Sequence, residues 1–387
     1  MQQPVHIGPV DAPLSFKDAA FEAVAGSVRS RQYNPLRAAR AFAALSVAQA
    51  QAAQSAPPQA TAQRAAAQQA AALVLVWLFP QEAKEPWLAG LLPSASPPDQ
   101  AVAMQAAAAV IERSLSDGAD ARRRPLTKPP WRPGLWQRTP PLLAEQPTEP
   151  HAPLWQPWCP GTEALQPPDP PPHGSAIWRE HMAEVQRVGQ STTPAQQLAA
   201  QRWNLDAGSV TPPGVWNIIV REYLVQHPLP PAQHHRTLAL LNMAMHDALV
   251  AAWRVKLTHW TERPYTAIRR EIDPSFEPLV PTPPFPGYVS GHATVSGAAA
   301  GVLSVLLPAG QARWQALANE AAESRLWGGI HPRFDNDSGL RLGEQVAQTC
   351  LRQFEPAGAK APTALIAAPA NMSAYSGALP SMSVWRE

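Results

Sequence analysis

Long alanine-rich stretches bounded by proline are what most constrain the fold of this chain. Alanine is the strongest helix former and proline the strongest breaker, so their segregation reads as a series of helices with sharply placed ends. Asn34-Pro35 puts a capping residue before a proline at the first helical position and opens such a run to about Gln54. Related patterns predict helices near Phe16–Ser30, Thr61–Phe79, Asp99–Ser116, Gly174–Val188, Pro194–Asn204 and Pro213–Gln226. Others follow near Pro231–Trp260, His292–Leu307, Gly310–Leu326 and Ser338–Phe354. Strand-like alternation is nearly absent. Alanine on many helix faces permits close helix–helix approach, and the expected fold class is all-α.

The exception runs from Arg124 to His173, where many of the chain's 46 prolines are gathered. Trp131, Trp136, Trp155 and Trp158 are spread through it, and a flexible linker would waste that apolar surface in water. An ordered crossing is expected instead, of the kind that shapes a pocket entrance. This divides the 387 residues into an N-terminal helical bundle, 1–123, a proline- and tryptophan-rich connection, 124–173, and a C-terminal helical bundle, 174–387.

Apolar residues make up 45% of the chain and charged ones 16%, enough for a substantial core. A net charge of +2, with no basic run interleaved with aromatics, leaves no footprint of nucleic-acid binding. The apolar stretches Ala71–Phe79 and Ala293–Leu307 are too short to span a bilayer, and each runs into proline. The opening Met-Gln-Gln-Pro-Val-His lacks a basic segment followed by an apolar one. No signal peptide is read there, so a cytoplasmic location is the default, with export by another route left open. Cys159 and Cys350 form one candidate pair and no disulfide framework; both are expected to be reduced or buried. No cysteine cluster or His-Glu-x-x-His supports a zinc site.

Chemistry concentrates in three stretches of the last third. In Lys256-x6-Arg263-Pro264, a continuous helix would return both basic side chains to one face, two turns apart. The bland alternative is a solvated basic stripe. Ser290-Gly291-His292 follows a proline-rich turn and opens an apolar run, which reads as a helix start with Ser290 near the N-cap. Free N–H groups and the helix dipole make such a start an anion site, and Gly291 lets backbone approach closely. An ordinary capped helix with a surface histidine is the alternative. In Ser324-Arg325-x5-His331, Gly328-Gly329 should end a helix and let the chain turn His331 back towards Arg325. Arg325 could clamp an oxyanion in bidentate fashion or merely offset a helix dipole.

Lys-x6-Arg-Pro, Ser-Gly-His and Ser-Arg-x5-His-x3-Asp, in this order, resemble the motifs of the vanadium-dependent haloperoxidases. Relatives of these are the bacterial non-specific acid phosphatases and the type 2 phosphatidic acid phosphatases. Asp247-Ala-Leu-Val-Ala-Ala-Trp253, Arg263-Pro-Tyr-Thr-Ala-Ile268 and Phe334-Asp335 are similar as well. A weaker likeness runs through Asn34–Arg40 and Trp216-Asn217, and the soluble haloperoxidase branch is the better match. Two positions depart from the pattern. Val289 stands where the family usually has proline, and Glu262 where haloperoxidases often have tryptophan. Altered pocket shape is the expected result, with weaker anion affinity if Glu262 faces the site.

The resemblance implies an architecture of two helical bundles and an oxyanion site in the C-terminal half. It implies that Lys256, Arg263 and Arg325, with Ser290 and the Gly291 amide, hold the oxygens of vanadate or phosphate. His331 would be the apical vanadium ligand or the nucleophile towards phosphorus. His292 would be the acid–base residue, and Asp335 would orient His331 or cap the next helix. The implied reaction is oxidation of halide by hydrogen peroxide to hypohalite, which halogenates an organic acceptor. The alternative is hydrolysis of phosphomonoesters through a phosphohistidine, and a third reading is non-catalytic oxyanion binding. Phe285, at a position where algal bromoperoxidases carry histidine and fungal chloroperoxidases phenylalanine, leans the reading towards halide chemistry. A homodimer is compatible with these features; a membrane span is not expected.

Overall fold

The computed structural model describes residues 19–82, 97–355 and 363–367. Phe16 to Asp18, read as the opening of the first helix, and the segment before them in which no leader was read, lie outside the described residues. The described residues form helices and turns, with a single isolated antiparallel bridge between Leu135 and Thr261. In chain order the helices are α1 (Ala19–Ser30), α2 (Pro35–Ser55), α3 (Ala60–Leu78), α4 (Pro97–Ser116), α5 (Ala176–Gln190) and α6 (Pro194–Arg202). They continue with α7 (Thr211–Gln226), α8 (Pro231–His259), α9 (Pro264–Glu271), α10 (Gly291–Leu306), α11 (Gln311–Trp327) and α12 (Arg333–Phe354). None of the described helices is long and apolar enough to cross a membrane. The all-α expectation is met.

The ends of these helices follow local chemistry. Asn34 caps α2, its side chain accepting from the amides of Leu36 and Arg37 at 3.1 Å, with Pro35 next. Thr193 and Gln196 form a reciprocal capping box on α6. One helix was not foreseen. The stretch Lys256–Arg263 is not continuous helix, because α8 stops at His259 and Trp260 turns to φ +52°. Arg263 is extended (φ −86°, ψ 151°), as a residue before proline prefers, and Pro264 then starts α9. The two basic side chains therefore come from different elements.

The chain divides into two compact units. One is built on residues 121–206 and 244–349; the other takes the described residues up to Asp120, residues 207–243 and those from Cys350 on. This differs from the contiguous segments 1–123, 124–173 and 174–387. The reason is α7, which packs on α2. Gly214 of α7 leaves room for Phe42 of α2, whose Cζ would lie 3.3 Å from an added Cβ. Beneath it, Asn217 and Asn242 exchange amide hydrogen bonds of 2.7 and 3.0 Å, and Asn242 also donates to Ser46 of α2. In the same unit α2 is buried on every side from Ala38 to Ala50. Its one charged residue in that stretch, Arg40, is satisfied by Asp117 at 2.6 Å and the Ser114 carbonyl at 2.6 Å.

In the other unit, residues 124–173 are an ordered strap without α-helix. Trp136, Trp155 and Trp158 are buried in it, while Trp131 is exposed. The strap is pinned by backbone bonds from Trp136 N to Trp260 O (2.8 Å) and Glu262 N to Gly134 O (2.9 Å). Asp247 of α8 adds two more, its carboxylate accepting from Trp158 N and Cys159 N at 2.9 and 2.7 Å. Cys159 and Cys350, both buried, are joined in a disulfide, which corrects the expectation of reduced thiols. Two cysteines separated by about half the chain reveal no pairing by their spacing.

Helices α10 and α12 cross with their backbones in contact, and glycine makes this possible. A Cβ on Gly343 would stand 2.0 Å from Thr294 O and 2.6 Å from Ala298 N; one on Gly297 would stand 2.4 Å from Leu340 O. The crossing fixes the start of α10 against α12, and Ser290 N donates to Asp335 O at 3.0 Å. Gly343→Ala should therefore separate the two helices and destabilise this unit by about 1–3 kcal/mol or more. Thermal unfolding followed by circular dichroism checks this. Gly26→Ala on α1, where an added Cβ meets nothing within 4 Å, should instead leave stability unchanged or slightly raised.

Candidate active site

Three cations are held out of water within one unit. Lys256, Arg263 and Arg325 are each no more than 1% exposed. Each is collared by neutral groups. Lys256 Nζ donates to the carbonyls of Pro286 (2.8 Å) and Gly287 (2.6 Å). Arg263 donates through Nε to Phe285 O (2.7 Å) and through Nη1 to Ile330 O (3.0 Å). Arg325 donates to Ser324 Oγ (3.1 Å) and Ala200 O (3.0 Å). Carbonyl dipoles soften the positive charge without neutralising it. Burial pulls all three pKa values down, that of Arg263 to about 10 and of Arg325 to about 9; the Arg263 charge adds to the effect on Lys256 and Arg325, while Asp335 and Asp206 oppose it at Arg263.

The histidines join the same cluster. Gly328 and Gly329 end α11, and Gly329 takes φ +77°, so the amides of Ile330 and His331 return to Arg325 O. His331 Nε2 then lies 2.9 Å from Arg263 Nη1, and its Nδ1 lies 2.7 Å from Asp335 Oδ2. The His331–Asp335 contact fixes the tautomer: Nδ1–H donates to the carboxylate and Nε2 carries the lone pair. Burial and the three neighbouring cations hold His331 neutral, well below the ordinary histidine range. Burial pushes the Asp335 carboxyl up to about 7, against the pull of Lys256 and Arg263. Asp335 also lines a cleft of about 430 Å³ with Phe334, Thr261, Trp178 and the strap.

Ser290 caps α10, its Oγ accepting from Ala293 N at 3.4 Å, which leaves the hydroxyl proton for another acceptor. The Gly291 amide is one of the unsatisfied donors of the helix start. His292 is partly buried and hydrogen-bonds the Trp203 backbone. Its Nε2 is shielded from water and has no partner. Burial, then Arg325, hold it well below the usual histidine range. Arg263 Nη2 is likewise buried without a partner.

All nine residues singled out from the sequence fall in this unit; seven bear on one cluster through contacts or through the charges they exchange, and Gly291 follows Ser290 at the start of α10. Phe285, the ninth, is its apolar wall. Lys256 Nζ lies 5.2 Å and Arg263 Cζ 4.9 Å from the Phe285 ring centroid, and Trp253 packs against the same ring. Glu262 does not face the cluster. It is buried in a two-pronged ion pair with Arg270 and accepts from Gly134 N. Sequence reading missed the backbone carbonyls of Ala200, Pro286, Gly287 and Ile330 and the Trp203 backbone, since carbonyl positions leave no residue signature.

The donor set suits a tetrahedral oxyanion such as vanadate or phosphate. The positive groups outnumber the carboxylates that offset them, the Arg263 Nη2 donor and the His292 Nε2 atom are buried without partners, and the neutral His331 nitrogen stands beside them. A pH effect follows from His292. Its depressed pKa means that the unfolded chain takes up a proton near pH 6.5 that the folded chain refuses, so acidification destabilises the fold. His292→Gln should lose less melting temperature than wild type between about pH 7.5 and 5.5, measured without added anion. An equal loss in both proteins would show His292 freely protonated when folded.

Comparison with known proteins fits this geometry. A family model described as the VCPO second helical-bundle domain matches residues 236–312 and 311–357. No curated protein matches. Among solved structures, a bacterial vanadium-dependent iodoperoxidase aligns with a TM-score of 0.74 at 24% identity, covering 91% of this chain and 98% of its own. A holo-type bacterial vanadium-dependent chloroperoxidase aligns with a TM-score of 0.65 at 15% identity, over 88% and 94% of the two chains. The apo-type chloroperoxidase gives 0.63 at 15%, over 82% and 93%. The chain thus has the fold of the vanadium-dependent haloperoxidases, and residues 236 to 357 are similar to the second helical-bundle domain of that family.

Proposed function

We propose that this protein is a vanadate-dependent haloperoxidase, oxidising halide with hydrogen peroxide to hypohalite, which then halogenates an organic acceptor. The observation that carries the reading is the neutral His331 Nε2, its lone pair turned towards Arg263 Nη1 by the Asp335 contact at Nδ1 and set among three buried cations. Lys256, Arg263, Arg325, the Ser290 hydroxyl and the Gly291 amide would hold the oxygens of vanadate, and His331 Nε2 would ligate the vanadium. Bound there, vanadate supplies a Lewis acid that activates peroxide towards halide.

The chain's own groups supply the rest. Neutral His292 offers Nε2 as an acceptor for a peroxide proton and can return it to the departing oxygen. The cations balance charge at fixed positions, so little reorganisation accompanies reaction. Phe285 and Trp253 present apolar surface on the cation side of the pocket, which suits a small halide better than a hydrated phosphoester. Disulfides persist in oxidising surroundings, so the Cys159–Cys350 pair favours a location outside a reducing cytosol over the cytoplasmic default.

The test is bromination of a β-diketone acceptor by purified protein with peroxide and bromide, before and after loading with orthovanadate. Turnover should depend on vanadate, fall with added phosphate and vanish in His331→Ala. Arg325→Ala should cost on the order of 100-fold or more. Protein that brominates nothing when loaded with vanadate, yet hydrolyses an aryl phosphate when vanadate-free, would replace this reading with the phosphatase.

A further inference from the structure

His292 and Arg325 share an unforeseen support, the C-terminal end of α6. Arg325 Nη2 donates to Ala200 O at 3.0 Å, and His292 hydrogen-bonds the Trp203 backbone. Trp203 follows the last residue of α6, where carbonyls lack intrahelical partners and the helix dipole is negative. One short helix therefore offers acceptors to both a cation and a histidine. With the ring's N–H donated to the Trp203 carbonyl, Nε2 is left as the proton acceptor.

What holds α6 there is Glu320. It lies on α11, five residues before Arg325, with its side chain 11% exposed. Its Oε1 accepts from the Trp203 indole Nε1 at 3.0 Å and also pairs with Arg202 Nη2. Trp203 itself is 1% exposed. The same helix thus carries the Arg325 guanidinium and the carboxylate that sets the carbonyls facing it. No motif absorbs Glu320, and it touches neither histidine.

We propose that Glu320 is a positioning residue that, by anchoring the Trp203 indole, aims the end of α6 so that His292 keeps one tautomer and Arg325 one orientation. Its link to catalysis rests on the function proposed above; the positioning itself does not. The hydrogen bond from the Trp203 indole should carry the effect more than the charge pair with Arg202. A glutamine at 320 still offers an oxygen to the indole, whereas alanine offers nothing.

The experiment reads the ring nitrogens of His292 by nitrogen-15 NMR of histidine-labelled, vanadate-free protein, with His292→Gln to assign the signal. Orthovanadate affinity is measured by calorimetry alongside. Wild type should show one tautomer with Nε2 unprotonated. Glu320→Ala and Trp203→Phe should give mixed tautomers and weaken orthovanadate binding by roughly 5- to 10-fold, the scale of one lost hydrogen bond. Glu320→Gln should restore the single tautomer. In turnover, Glu320→Ala should lower kcat more than it raises the KM for bromide.

An unchanged tautomer and affinity in Glu320→Ala, even with a lower melting temperature, would reduce Glu320 to a structural role and overturn the proposal. Failure of Glu320→Gln to rescue would overturn it too, by assigning the effect to the Arg202 charge pair. Because the NMR readout needs neither vanadate nor halide, it stands or falls apart from the haloperoxidase reading.

Discussion

Mutual repulsion among Lys256, Arg263 and Arg325 is the constraint around which this unit is arranged. Three cations withdrawn from water, with Arg263 close enough to depress the pKa values of Lys256 and Arg325, would drive their elements apart if left unsupported. The chain meets this with oriented backbone. Five carbonyls, from Ala200, Phe285, Pro286, Gly287 and Ile330, accept from the three side chains. Dipoles of that kind fix position while leaving net positive charge for an anion, whereas carboxylates in the same places would have cancelled it. Asp335 is the buried carboxylate tied into the cluster, and its contact is with His331 Nδ1, where it selects a tautomer.

Carbonyls can serve this way only if the loops bearing them are held still, which gives the remoter features of the unit their purpose. The Phe285–Gly287 loop is bonded to the Trp260–Thr261 turn through Gly287 N to Thr261 O and Tyr288 N to Thr261 Oγ1. Gly287 has no room for a side chain, since an added Cβ would meet Glu262 O at 3.1 Å and Asp335 Oδ2 at 3.2 Å. The proline-rich strap closes over the same turn from the other side, pairing with Trp260 and Glu262. The glycine crossing of α10 and α12 then sets Ser290 against Asp335. Placement at the site is thus inherited from glycine contacts and backbone hydrogen bonds that take no part in the chemistry.

Much of this was legible in the sequence. Asn34-Pro35 and the proline at 194 announced helix starts because capping and proline act through the nearest few residues. The site residues were legible as three spaced motifs, since anion chemistry restricts side-chain type. The failures have equally definite causes. A helical repeat suggested that Lys256 and Arg263 share one face, but Pro264 extends the residue before it, and that signal was present in the sequence. The carbonyl acceptors, the Trp203 support and the Cys159–Cys350 bond carried no such signal, because each depends on segments far apart in the chain. The grouping of α7 with α2 turned on Gly214 and Phe42 fitting together, a matter of shape.

The two departures from the haloperoxidase pattern can be weighed on the same terms. A carboxylate beside the anion-binding arginine would be expected to compete with the anion, and Glu262 immediately precedes Arg263. Its burial argues otherwise. A buried carboxylate needs a partner, and Arg270, in the last turn of α9, supplies both prongs of an ion pair while Gly134 N supplies a further donor. So engaged, Glu262 ties the strap to the last turn of α9, and its negative charge is paired with Arg270. Val289 is fully buried immediately before Ser290 and adds only apolar volume. The substitution that seemed most hostile to anion binding has become part of the scaffold holding Arg263 in place, and it leaves the cation free to do what its burial suggests.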